Sequence, residues 1–177
     1  NNKFEIEEFR DGIFSLNTRR FGKVAELMIK ELYGLADAKS DSSGAYDLFS
    51  DDEQKKVEVK FSTVLRKCKE NINSENVISQ IMESNLETRM LEYGDIASVN
   101  FDCNIQQIKR KEFDVLYYGC FFSDKIMICK MDSNEILDCY GYSDKQHRGN
   151  EGEGQFHIKN DTIDFHLNKY LINWLSY

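Results

Sequence analysis

Asp47, Glu58 and Lys60 are the residues of this chain best suited to joint chemistry. Two carboxylates on one surface can hold Mg²⁺, a hard cation that takes few protein oxygens and keeps several waters. Such an ion acidifies a bound water and neutralises charge building on a phosphate. A lysine beside it can steer or deprotonate the attacking water and steady the pentavalent phosphorus. The three must first be brought together by the elements that carry them. Lys56-Val57-Glu58-Val59-Lys60-Phe61 alternates charge and hydrophobe, the period of a half-buried strand. Val57, Val59 and Phe61 then enter the core together, while Glu58 and Lys60 share the opposite face, about 7 Å apart. Ala45-Tyr46-Asp47-Leu48-Phe49 reads as a preceding strand opened by Gly44, with Ser50-Asp51-Asp52-Glu53 as the turn. That hairpin sets the carboxylate of Asp47 beside that of Glu58. The competing reading is the solvated face of an ordinary edge strand.

At these residues the sequence resembles the PD-(D/E)xK nuclease superfamily, and within it the type II restriction endonucleases. Asp47 matches the first acidic residue, and Glu58-Val59-Lys60 matches the (D/E)xK element. Tyr46 stands where the superfamily name has proline, a position that varies freely. The resemblance covers this motif and the order of elements around it. It implies that Asp47, Glu58 and the backbone carbonyl of Val59 hold Mg²⁺, with Mn²⁺ able to substitute, and that Lys60 orients or activates water. It further implies that a first-helix glutamate, here Glu26, approaches the metal centre, and that two copies act as a symmetric homodimer on a palindromic site.

The chain has 177 residues, one domain's worth and enough to bury a real core. Its 41% hydrophobic and 31% charged content describes a soluble globular protein and excludes disorder. No apolar run approaches the roughly 18 residues that span a bilayer, so no membrane partner is expected. The first residues lack the basic-then-apolar order of a signal peptide. Five scattered cysteines without a C-x-x-C pair make a disulfide framework or zinc site unexpected and point to a reducing cytoplasm.

A net charge of −8 opposes a plain nucleic-acid coat protein, but the cations are clustered. Lys55, Lys56, Lys60, Arg66, Lys67 and Lys69 crowd the catalytic strand and its exit; Lys109-Arg110-Lys111 and Lys145-Gln146-His147-Arg148 form two more groups. Each reads alone as solvated surface, and together they suit a DNA groove. From Tyr142 to Gln155 the chain reads as a glycine-rich loop, either mobile surface or one that enters the major groove. In the latter case Arg148 reads guanine, Gln146, Asn150 or Gln155 reads adenine, and Lys145 and His147 hold phosphates.

The remaining elements frame this site. Asn17-Thr18 caps a helix running to about Tyr33 and stopped by Gly34, with Phe21, Val24, Ala25, Met28 and Leu32 inward. A second helix is expected over 75–92, burying Val77, Ile78, Ile81, Met82, Leu86 and Met90, with Gln80 and Asn85 able to touch the nucleic-acid backbone. A short strand is expected over 97–101 and a brief helix over 105–108. Phe113 to Met131 is a hairpin of two core strands around Ser123-Asp124-Lys125, whose aromatic residues read better as core than as base-stacking platforms. Gln155–Ile158 and Thr162–Leu167 look like a last hairpin, and Asn168 caps a terminal helix that places Trp174 in the core or at a subunit contact.

The expected fold is α/β: one domain over 1–177 with a mixed central β-sheet, helices on both faces, and a restriction-endonuclease-like core. The expected function is Mg²⁺-dependent, site-specific cleavage of phosphodiester bonds in double-stranded DNA. The alternatives are a structure-selective or repair nuclease using the same hairpin, and a non-catalytic nucleic-acid-binding or interaction module.

Overall fold

A computed structural model of the protein describes residues 10–11, 20–40, 44–67, 71–83, 91–145 and 151–177. Helix α1 (Arg20–Tyr33) is followed by strands β1 (Ala36–Asp37), β2 (Leu48–Ser50), β3 (Lys55–Thr63) and β4 (Leu65–Arg66). Helix α2 (Val77–Glu83) and a 3₁₀ turn (Tyr93–Ala97) lead into β5 (Phe101–Ile108), β6 (Val115–Phe121) and β7 (Lys125–Asp132). After a second 3₁₀ turn (Ser133–Asp138) come β8 (Ser143–Lys145), β9 (Glu151–Lys159), α3 (Ile163–Lys169) and β10 (Leu171–Ser176).

The strands form two sheets. The larger has the order β1-β2-β3-β6-β7-β10 and is mixed: β3 and β6 run parallel and its other pairs antiparallel. The smaller has the order β4-β5-β9-β8 and is antiparallel throughout. A parallel pair needs a long crossover, and the chain between β3 and β6 spends it on β4, α2 and β5. Strand β6 is buried along its whole length, as its unbroken apolar run predicts. Gly119 at its centre has no room for a side chain, because a Cβ there would run into the Met127 carbonyl and the Phe61 ring.

Alternation then sorts the side chains into two cores. Val57, Val59 and Phe61 of β3 pack with Val115, Tyr117 and Phe121 of β6 against Ala25 and Ile29 of α1. Leu116, Tyr118 and Cys120 face the other way, onto Phe101, Cys103, Ile105, Phe156 and Ile158 of the smaller sheet. The mixed α/β character holds, but among the described residues the second face carries only the short α3 where helices were expected. One face is covered by α1 and the other mainly by a second sheet. The strict in-out alternation of Phe101-Asp102-Cys103-Asn104-Ile105-Gln106 is the reason: it is a strand period, so the brief helix expected over 105–108 is the end of β5. Gln107, at φ 60°, shifts the register there and returns Ile108 to the buried face. The short strand expected over 97–101 begins only at Phe101.

Three more expectations are corrected. Helix α1 stops at Gly34 in a left-handed conformation as expected, yet Leu32 is exposed and Ile29 and Tyr33 take the inner positions. In α2, Ile78, Ile81 and Met82 point to solvent, between 66% and 78% exposed, so their helical spacing does not mark a buried stripe. Leu86 and Met90 lie outside the described residues. At the C-terminus Gln155–Ile158 is a strand as expected, within β9, but the second expected strand and the terminal helix are exchanged: Ile163–Lys169 is helical and Leu171–Ser176 is a strand on the edge of the large sheet. A register shift between Leu171 and Asn173 lets that strand present residues at spacings that mimic a helix. Trp174 is half-buried against the main core, 4.7 Å from the Tyr93 ring centroid.

Candidate active site

The hairpin that carries Asp47 and Glu58 forms, with shifted bounds. Strand β2 covers only Leu48–Ser50, and the turn occupies 51–54 with Gln54 at φ 53°. Asp47 precedes the strand but stays bonded to β3: its N–H donates to the Val57 carbonyl at 3.1 Å, and its Oδ2 accepts from the Val59 N–H at 2.9 Å. Strand β3 continues to Thr63 beyond the end of β2, so among the described residues its edge past Val57 has no paired strand on that side. The Asp47 carboxylate caps this open edge.

Glu58 and Lys60 lie on the face of β3 that turns away from α1, in register with Leu116 and Tyr118 of β6. Lys60 Nζ contacts Glu58 Oε1 and stands 3.9 Å from Asp47 Oδ2. One ammonium therefore bridges two carboxylates. Glu58 is only 7% exposed. Burial and the nearby charge of Asp47 push its carboxyl up to about 7 against the opposing pull of Lys60. Burial also works against the charge on Lys60, but Glu58 and Asp47 outweigh it, so the ammonium titrates above its ordinary value. These are the signs expected of a desolvated cluster short of positive charge.

Glu26 stands at the margin of this group. Its Oε2 accepts a 2.7 Å ion pair from Lys23, and its charge adds a small upward push on Lys60. Lys23 in turn feels Asp47, so this stretch of α1 borders the cluster. Sequence reading passed over Lys23, although its spacing of three from Glu26 on a helix is the signal for such a pair.

The other expected contacts do not converge with these. Arg66 lies on β4 with its Nη2 3.6 Å from Asp95 Oδ2, and Lys67 follows with its N–H donating to the Asn100 carbonyl. Gln80 is half-exposed on α2 and Lys145 is exposed on β8. Strands β4 and β8 are opposite edges of the small sheet, and the registers put Arg66 level with Phe101 at one end and Lys145 level with Glu151 at the other, so the two stand well apart on it. Gln146, His147, Arg148 and Asn150, with Asn85, lie outside the described residues. What is described of 142–155 corrects the loop reading: β8 pairs with β9 antiparallel, and Gln155 is a strand residue whose Oε1 accepts from Asn104 Nδ2 at 3.4 Å. A half-exposed His157–Asp102 pair, 2.8 Å apart on this sheet, also went unread in the sequence, since nothing local joins residues on two different strands.

The donor set suits a hard cation. Asp47 and Glu58 offer carboxylate oxygens on one face, and the raised carboxyl of Glu58 marks a charge deficit that a divalent ion would relieve. Among the described residues no three Asp, Glu, His or Cys side chains gather at one point, so a third protein donor would come from the backbone, where the resemblance puts the Val59 carbonyl. Comparison with protein-family models, with curated proteins and with solved structures returns no match. The site is therefore argued from its own chemistry. Among the described residues no helix is long and apolar enough to cross a membrane.

Proposed function

We propose that this protein is a Mg²⁺-dependent nuclease that hydrolyses phosphodiester bonds of double-stranded DNA, acting at specific sites in the manner of a type II restriction endonuclease. The observation that carries the reading is a single half-buried ammonium bridging two carboxylates, one of them buried, beside an open strand edge. Asp47, Glu58 and the Val59 carbonyl would hold the ion. Bound there, Mg²⁺ supplies an acidified water and neutralises charge on the scissile phosphate.

The chain's own groups divide the remaining work. Asp47 is fixed by its bond from Val59 N–H, so its carboxylate needs little ordering when a ligand arrives. Glu58 must shed its proton to serve as a donor, and its midpoint of about 7 sets the pH at which that happens. Lys60 keeps its proton at neutral pH because its affinity for it is raised. That supports an electrostatic role, orienting water and steadying the phosphate's added charge, over proton abstraction. Glu26, engaged by Lys23, is a positioning residue for Lys60.

The test is plasmid cleavage in Mg²⁺. Lys60→Ala and Asp47→Ala should each lower the rate by at least about a hundredfold while circular dichroism shows an intact fold. Wild-type cutting by the Lys60→Ala protein would overturn the site assignment. Discrete fragments from a plasmid support site-specific restriction, whereas a smear or junction nicking supports a structure-selective nuclease.

A further inference from the structure

The fold brings together two basic clusters that lie far apart in sequence. Lys109, Arg110, Lys111 and Glu112 form the turn between β5 and β6; Asp144 and Lys145 end β8. With Gly152 and Glu153 of β9 they line an open depression of about 640 Å³. Its frame is tied by specific contacts. Arg110 grips Asp144 with Nε to Oδ1 at 3.0 Å and Nη2 to Oδ2 at 3.2 Å, and the Tyr142 hydroxyl donates to the same carboxylate at 2.7 Å. Tyr142 lies flush on Gly154, where any Cβ would strike its ring.

This bracing uses up one cation and leaves others available. Lys109 reaches Glu112 at a loose 3.8 Å, while Lys111 and Lys145 are exposed and have no ion pair among the described residues. Four cations against three anions line the depression of a chain whose total is −8. Lysine ammoniums are hydrated point charges on flexible stems. Spread over two rims of an open surface, they suit a spread-out polyanion better than one enclosed anion.

Position supports the same ligand as the catalytic cluster. Glu112 precedes Leu116, the register partner of Glu58, by four residues, at most about 13 Å of extended chain. That is about four base-pair steps of duplex at 3.4 Å each. We infer that this depression seats the sugar–phosphate backbone of duplex DNA, with Lys111 and Lys145 as phosphate contacts and the Arg110–Asp144 pair as the brace between their two elements. The inference rests on the nuclease reading and adds a sequence-independent anchor to it.

The experiment is fluorescence anisotropy of a short labelled DNA duplex of arbitrary sequence in EDTA, over a salt series, with wild type, Lys111→Ala, Lys145→Ala and the double variant. Each phosphate contact contributes about 0.9 to the slope of log affinity against log salt. The slope should fall by about that much for each single change and about twice as much for the double. Cleavage of saturating plasmid by the wild type is measured alongside. Unchanged slopes with normal wild-type binding and cleavage would overturn the anchor alone. Wild-type protein that neither binds nor cuts DNA would overturn both readings. Lysine-dependent binding of an RNA duplex without binding of DNA would overturn the choice of ligand.

Discussion

Among the described residues His166 and Glu58 are both buried, and their surroundings treat them differently. His166, on α3, sits in an aromatic shell: Phe156 stacks on its ring at 5.2 Å, Phe165 and Tyr170 flank it, and Tyr118 hydrogen-bonds its Nδ1 at 2.9 Å. Glu58, on β3, sits between an ammonium and a second carboxylate. Burial opposes charge in both, taking the imidazole down to about 4 and the carboxyl up to about 7. The histidine is then neutral wherever the protein works, with burial the only cause of its shift. The glutamate is near its midpoint, pulled one way by Lys60 and the other by Asp47. A group held at balance responds to an arriving cation, and one far from its midpoint does not. Desolvation by itself marks packing; desolvation set against opposing charges marks a candidate site.

The widest separation between the two should appear in the response to metal. If Glu58 must ionise to donate, apparent Mg²⁺ affinity should rise about tenfold per pH unit from pH 5 to about 7 and then level. Thermal melts with graded Mg²⁺ at each pH would read this directly. Glu58→Gln should flatten the profile and weaken binding by more than about tenfold, whereas His166→Phe should leave both unchanged. Equal behaviour of the two variants would erase the distinction.

Without metal, the two groups should pull stability in opposite directions over one pH range. Glu58 binds its proton more tightly folded, about 7 against 4.5, so its contribution is full below 4.5 and is lost as pH rises to about 7. His166 binds its proton less tightly folded, about 4 against 6.5, so its contribution is full above 6.5 and is lost as pH falls towards 4. Between about 4.5 and 6.5 the two slopes, each about 1.4 kcal/mol per pH unit, cancel in the wild type. Relative to wild type, the stability of Glu58→Gln should climb with pH by that slope, and that of His166→Phe should descend by it. Urea titrations at four pH values would show it, and parallel curves for all three proteins would contradict the assignment of either group.

How much of this was legible in the sequence depends on where the determining contact lies. The Glu58–Lys60 alternation and the apolar hairpin of β6 and β7 are local patterns, and both stand where they were read. Asp47 also lands beside Glu58, although the strand expected to carry it starts one residue later. The second sheet was not legible, because it pairs β5 with β9 across some fifty residues and neither strand's alternation names its partner. For the same reason α2 was misjudged: helical spacing shows that Ile78, Ile81 and Met82 share a face, but not what that face meets. The convergence of the 109–112 turn with β8 hangs on one guanidinium and one carboxylate that no local pattern joins.

The smallest expected effect concerns the residue standing between the two buried groups. Tyr118 is the register partner of Lys60 across the parallel pair, yet its hydroxyl turns to His166. Tyr118→Phe keeps the ring that packs on Phe156 at 5.1 Å and deletes the hydroxyl's bonds to His166 and to the Cys129 thiol. The imidazole's Nε2 is already buried with no partner among the described residues, so both ring nitrogens would then go unpaired. A loss of about 1 kcal/mol in urea unfolding is expected. The pH midpoint of Mg²⁺ binding should stay where it is, because the deleted hydroxyl points away from Lys60. If that midpoint moved with the substitution, the histidine shell and the carboxylate cluster would be titrating as one system through the tyrosine that divides them.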